Sequence, residues 1–169
     1  MQFLKKVYHY FAEYSLSHYW RWHEAYLRGG VVKYWYLFRM RRFERTAQAE
    51  IPHTKKINRF YIPHGLSGIF ISQGAAIGTG CTIFQQVTVG SNMMRGSRGY
   101  GFPTVGNNVY IGAGAKIIGN VHIGDNVRIG ANCVVTCDVP DNCTVVCESP
   151  RIIQKTMPQD NTFQPYMAD

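Results

Sequence analysis

From residue 71 onward the chain carries an aliphatic residue at every sixth position: Ile71, Ile77, Ile83 and Val89, then, after one interruption, Val105, Ile111, Ile117, Ile123, Ile129 and Val135. A second apolar series, Ala75, Cys81, Val87, Val109, Ala115, Val121, Val127, Cys133 and Val139, stands four residues after most of these. A member of the second series and the next member of the first are two apart, so both project from one face of a short extended strand. Val109 and Ile111 therefore point inward around an outward Tyr110, and Val121 and Ile123 around an outward His122. Gly112-Ala113-Gly114, Gly124-Asp125-Asn126 and Gly130-Ala131-Asn132 put turn residues between the strands. A helix needs apolar spacing near 3.6, and a strict six with turns inside it excludes one. The pattern predicts an all-β chain that coils with one short strand per face, the stacked coils building a continuous aliphatic column.

The repeat is irregular in two places. Val89 to Val105 is sixteen residues, not a multiple of six, so a loop over 91–104 carrying Arg95, Arg98 and Phe102 leaves the coil there. Insertions into such a repeat go to its outside, where long loops on rigid scaffolds carry function. The second irregularity is "IPHGLSGIFIS", residues 62–72, which puts His64 at the mouth of the first regular coil. An imidazole with a pKa of about 6.5 can take a proton at neutral pH and return it; the alternative is a turn residue following Pro63. Among the other histidines, His122 is outward on a strand, and His9, His18 and His23 fall in an aromatic segment that favours partly buried or interfacial roles. His53, beside Pro52, is the next candidate for a base.

"IGTGCTIFQQVTVG", "PTVGNNVYIGAGAKIIG" and "VHIGDNVRIGANCVV" resemble the hexapeptide acyltransferases, more narrowly the serine acetyltransferase branch and its relatives that acetylate bacterial surface polysaccharides. The resemblance covers about residues 50–155. It implies a left-handed parallel β-helix (hexapeptide repeat) behind a short N-terminal α-helical segment, a homotrimer, and acetyl-CoA in the cleft between neighbouring subunits. His64 matches the family's base with a one-residue gap, standing four rather than three positions before Gly68, and Glu50 is the upstream acid that would orient it. In the related enzymes the loop corresponding to 91–104 walls the active site. For acetyl-CoA the expected contacts are the turns at Gly90, Gly112, Ala113, Gly130 and Ala131. "VVCESPRIIQK" is similar to the family's terminal Gly-x-Pro-Ala-(Arg/Lys) signature, with Glu148 in place of the Gly and Arg151 in place of the Ala, which makes Arg151 and Lys155 candidates for the CoA phosphates. The expected chemistry is one-step acetyl transfer to a hydroxyl, a backbone N–H near the loop steadying the oxyanion.

The acceptor is read from what is missing. The serine enzymes carry Arg-His-Pro at the end of the long loop, where this chain reads Gly101-Phe102-Pro103, and Pro63 stands where they have a second serine-binding Asp. A zwitterion needs charged partners at both ends, and an unpaired charge costs roughly 2 kcal/mol or more. Phe102 suits a sugar ring, and Arg95 and Arg98 suit a phosphate or carboxylate on a linked glycan. The expectation is a sugar O-acetyltransferase of surface-polysaccharide synthesis, with serine O-acetylation as the alternative and a catalytically silent trimeric scaffold as the alternative of another class.

Composition divides the chain. Residues 1–60 carry twelve Lys/Arg against four Asp/Glu and residues 61–169 six against six, so the whole +8 belongs to the N-terminal third, with all three tryptophans. The expected organisation is a helical basic and aromatic segment over 1–56, the β-helix over 57–153 and a tail over 154–169. The N-terminal segment reads as a cap on the open end of the coil or, through residues 1–45, as a peripheral surface for anionic lipid. No run reaches the roughly 18 apolar residues of a membrane span, no secretory signal is recognisable, and a cytoplasmic location with reduced thiols is expected. Nucleic acid is not expected, since no recognised motif accompanies the charge. Cys133, Cys137, Cys143 and Cys147 could be read as a zinc site, but Cys133 and Cys147 keep step with the inward positions, which predicts small buried residues and no metal. A three-histidine zinc site of the carbonic anhydrase type fails on ligand count, since His122 is the one histidine after His64.

Overall fold

The structure, a computed structural model, describes residues 18–159 and 161. His9 and the rest of the proposed lipid-facing segment before residue 18 lie outside the described residues. Two helices open the described chain, α1 over 18–28 and α2 over Lys33–Thr46. The hexads then become β1 (Phe70–Ile71), β2 (Ala76–Ile77), β3 (Thr82–Ile83), β4 (Thr88–Gly90), β5 (Thr104–Val105), β6 (Tyr110–Ile111), β7 (Lys116–Ile118), β8 (His122–Ile123), β9 (Arg128–Ile129), β10 (Val134–Val135) and β11 (Thr144–Val145).

These strands form three parallel sheets: a first of order β1-β4-β7-β10, a second of order β2-β5-β8, and a third of order β11-β9-β6-β3. Successive strands thus visit the three sheets in turn, the path of a three-faced coil. Phe70 pairs with Thr88 and Thr104 with His122, eighteen residues apart. A strand of two residues has no stability alone; each is held by the coils above and below and by its inward side chain. Every Ile and Val of the six-residue series from 71 to 135 is buried, as is every member of the second series. At two of the corners the backbone needs a left-handed residue. Gly80, Asn108, Asn126 and Asn142 supply it at one, and the Asn side chains stack there, with Asn108 Nδ2 donating to Asn126 Oδ1 (2.8 Å) and Asn126 Nδ2 to Asn142 Oδ1 (3.1 Å).

The coiling starts ahead of residue 57 and stops short of residue 153. Single bridges Glu50–Phe70, Ile57–Ile77 and Tyr61–Thr82 make a first, less regular coil; the last strand ends at Val145, and the described residues after it form no helix or strand. The loop makes one coil long, so that Ala76 pairs with Thr104, twenty-eight residues on. The final coil is short: Ile123 meets Val139 and Ile129 meets Val145, sixteen residues on. That two-residue loss overturns one expectation. Cys147 is exposed, not inward, because the register that would have buried it ends in the shortened coil.

The N-terminal helices pack on the first coil. Tyr19, Trp20, Met40, Ile51 and Phe60 are buried together, with the Trp20 and Phe60 rings edge to face at 4.8 Å. α2 turns its other side outward, leaving Tyr34, Trp35 and Phe38, with Val31 just ahead of the helix, exposed along with Arg39, Arg42 and Arg45.

Candidate active site

His64 sits at the corner where the chain passes from the third sheet to the first. Ile62, Pro63, His64 and Gly65 make a tight turn closed by Gly65 N–H donating to the Ile62 carbonyl (3.4 Å), with Gly65 left-handed at φ 75°. The imidazole is exposed and lies against Phe84, whose ring in turn meets Tyr110, at centroid separations of 5.5 and 5.0 Å. Turn geometry and reactivity are compatible here, since the turn is what presents the ring.

The candidate cofactor turns Gly112-Ala113 and Gly130-Ala131 stack further along this same corner. Gly112 N–H donates to the Ile129 carbonyl and Gly130 N–H to that of Val145 (2.8 and 2.9 Å), whereas no backbone partner takes the N–H of Ala113 or Ala131 among the described residues. The glycines have a structural reason of their own: a Cβ on Gly112 would stand 2.7 Å from the Ala131 nitrogen, and one on Gly130 3.2 Å from the Val145 carbonyl oxygen. Close stacking of the coils therefore accounts for the missing side chains, and the open N–H groups are the feature left for a ligand. Gly90 is apart from this set. It ends β4 at the next corner, paired with Ile118, where the long loop leaves.

That loop is closed at its base by Asn92 and Gly101, each N–H donating to the other's carbonyl (2.9 and 2.8 Å), and Asn120 N–H donates to the Gly99 carbonyl (2.8 Å). Arg95 and Arg98 are exposed along it. Phe102 folds back over Gly74, where its ring occupies the space a Cβ would need, and stays 38% exposed. Within one chain the loop and His64 lie on opposite edges of the first sheet.

Glu50 does not reach His64. It is exposed and bridges Phe70 at the start of the first sheet, and no hydrogen bond or ion pair joins the two side chains. Arg151 and Lys155 are exposed on the segment after the coils. His53, the other candidate base, is out of reach of solvent, its side chain 3% exposed.

His53 belongs to a buried polar cluster that sequence reasoning missed. Tyr19 Oη donates to Glu44 Oε1 at 2.6 Å, Arg41 donates to Glu44 Oε2 at 3.1 Å, and His53 Nε2 lies 3.3 Å from Glu44 Oε1 without the alignment of a hydrogen bond. His23 packs beside His53, ring centroids 5.7 Å apart. Burial pushes the Glu44 carboxyl up to about 7 and the His53 imidazole down to about 3, and lowers His23 as well. The cluster joins α1, α2 and the first coil, a non-local meeting that no sequence spacing announces. A separate cleft of about 350 Å³ between α1 and α2 is lined by His18, Arg21, Trp22, Glu24, Arg28 and Tyr36 among others, and His64 is not part of its lining. No group of three or more His, Cys, Asp or Glu among the described residues could hold a metal ion.

Residues 102–137 match the family of bacterial transferase hexapeptide proteins (six repeats). With the three stacked sheets, this likeness is to the hexapeptide-repeat class of bacterial transferases. Within it the chain is similar to serine acetyltransferases: 46% identical over 96 residues to that of Synechococcus elongatus, covering 57% of this chain and 38% of the relative, and 43% identical over 108 residues to that of Helicobacter pylori, covering 63% and 61%. The chain thus spans less than two thirds of the length of these relatives. Among solved structures it resembles a serine acetyltransferase of Neisseria gonorrhoeae (TM-score 0.64, 28% identity, 88% of this chain and 55% of that one). It also resembles isoform 3 of Entamoeba histolytica in complex with cysteine (TM-score 0.60, 37% identity, 72% and 43%). These likenesses imply left-handed winding. They do not single out the polysaccharide-acetylating branch.

Proposed function

We propose that this chain is an acetyl-CoA-dependent O-acetyltransferase. The observation that carries the reading is one corner of the coil: an exposed His64 at its foot and, stacked along it, the untaken N–H groups of Ala113 and Ala131. His64 takes the proton of the acceptor hydroxyl as that oxygen attacks the thioester carbonyl, then returns it to the departing CoA sulfur. Ala113 and Ala131 hold the pantetheine amides through their N–H groups, and Arg151 and Lys155 on the following segment supply charge for the CoA phosphates.

For the acceptor, the relatives' names support L-serine, and this takes precedence over the sugar favoured by the sequence alone. A sugar hydroxyl remains a second reading because of the Phe102 ring on Gly74, Pro63 beside His64, and the absence of a carboxylate in contact with the imidazole among the described residues. Arg95 and Arg98 would then meet a phosphate or carboxylate on the glycan. Because the loop and His64 occupy opposite edges of the first sheet, the reading includes a homotrimer in which the loop of one subunit completes the site of the next. The exposed aromatic and arginine face of α2 supports peripheral contact with anionic lipid; no described helix is long and apolar enough to cross a membrane.

The test is CoA release with L-serine set against a panel of nucleotide sugars and oligosaccharides. Turnover of L-serine alone establishes the first acceptor, and turnover of sugars alone the second. No release on either, with no heat of acetyl-CoA binding in a calorimetric titration, overturns the enzyme and leaves the silent scaffold.

A further inference from the structure

The sulfurs of Cys133 and Cys147 lie 2.9 Å apart, and neither cysteine is in a disulfide. Cys133 is buried in the inner small position of the last full coil. Cys147 is exposed two residues beyond β11, its sulfur 3.8 Å from the Ala131 carbonyl oxygen. The meeting follows from the shortened final coil, which brings Cys147 round over the Ala131 turn. Two sulfurs at this separation suit one chemistry above others. A disulfide bond of about 2.05 Å needs them to close by less than an ångström. Two thiolates sharing a tetrahedral zinc ion at about 2.3 Å each stand further apart than that and need further ligands, which no described residue supplies.

We propose that Cys133 and Cys147 are a redox-active pair that closes to a disulfide on meeting a small disulfide oxidant such as oxidised glutathione, latching the segment after β11 onto the last coil. The accessible Cys147 sulfur, as thiolate, attacks one sulfur of the oxidant, breaking its S–S bond and releasing one thiolate, which takes up the proton that Cys147 lost. The Cys133 sulfur then attacks Cys147 in the mixed disulfide and expels the second thiolate, which takes the Cys133 proton. One S–S bond is broken and one formed; the protein loses two electrons and two protons, and the oxidant gains them as two thiols. The closed loop from 133 to 147 restrains the end of the coil and the segment that bears Arg151 and Lys155. The pair stands whether or not the acetyl-transfer reading does.

The full chain, incubated with oxidised glutathione, quenched with an alkylating agent and cut at aspartates, tests the pair by mass spectrometry. Cleavage before Asp125, Asp138 and Asp141 separates Cys133 and Cys137 from Cys143 and Cys147. The expected product is a cross-link between these two fragments that survives in C137S and C143S and is lost in C147S. The cross-link should also raise the thermal midpoint of the oxidised chain by about 5 °C or more, an increase absent in C147S. Because Cys133 is buried and C133S can misfold, the exposed Cys147 carries the decisive variant. No cross-link, stable glutathione adducts alone, or a cross-link that persists in C147S overturns the proposal.

Discussion

The imidazole of His64 rests on the ring of Phe84, 5.5 Å between centroids, with an aromatic face where a carboxylate was expected. His64→Ala should lower turnover by roughly 10²–10⁴-fold while acetyl-CoA binding measured by calorimetry persists. Glu50→Gln should cost far less, because Glu50 touches Phe70 and not the imidazole. Equal losses in the two variants would mean that Glu50 swings to His64 in the working enzyme.

Phe102→Ala separates the two acceptors. Removing the ring from over Gly74 should raise the Michaelis constant for a sugar by about tenfold, the loss of one stacked ring of about 1.4 kcal/mol, and leave that for L-serine nearly unchanged. Steady-state kinetics with both acceptors reads the difference.

Glu44 and His53 set opposing pH dependences. The carboxyl is raised from 4.5 to about 7, so its contribution is full below pH 4.5 and is lost as pH rises through 7; the imidazole is lowered from 6.5 to about 3, so its contribution is full above pH 6.5 and is lost as pH falls toward 3. Between pH 4.5 and 6.5 the two slopes cancel. The groups facing this pair are Tyr19, His23 and Tyr26 from α1, Arg41 from α2 and Glu50 from the first coil. Glu44→Gln removes one slope and keeps an oxygen for Tyr19, so urea midpoints should climb from pH 4.5 to 6.5 more steeply in the variant than in the parent chain. Parallel curves would mean that Glu44 stays ionised in the fold.

Gly112→Ala and Gly130→Ala probe the stacking of the coils. The added methyl at Gly112 meets backbone at 2.7 Å, which the coil cannot yield without disturbing its ladder, and a loss of about 1–3 kcal/mol is expected. At Gly130 the nearest atom is at 3.2 Å, near the end of the coil, and the loss should be smaller. Denaturant unfolding of both variants checks the order.

What the sequence determined by itself is the coil. A period of six with paired inward positions has one way to bury itself, so the strands at 70–135, the inward Ile and Val column, the corners rich in glycine and asparagine and the exit of the loop could be read in advance; these are local constraints repeated many times. The turn at His64 was one of the two readings that Pro63 before it offered. Three features depended on the tertiary structure. The two residues lost from the final coil broke the register that promised to bury Cys147 and set its sulfur against Cys133. Packing of α1 and α2 on the first coil buried His53 with Glu44 and Tyr19, removing it as a candidate base. The pairing of Glu50 with Phe70 left its side chain with no hydrogen bond or ion pair to His64. Each joins residues whose separation along the chain follows no period, so their meeting is decided by how whole elements pack and not by any pattern within them.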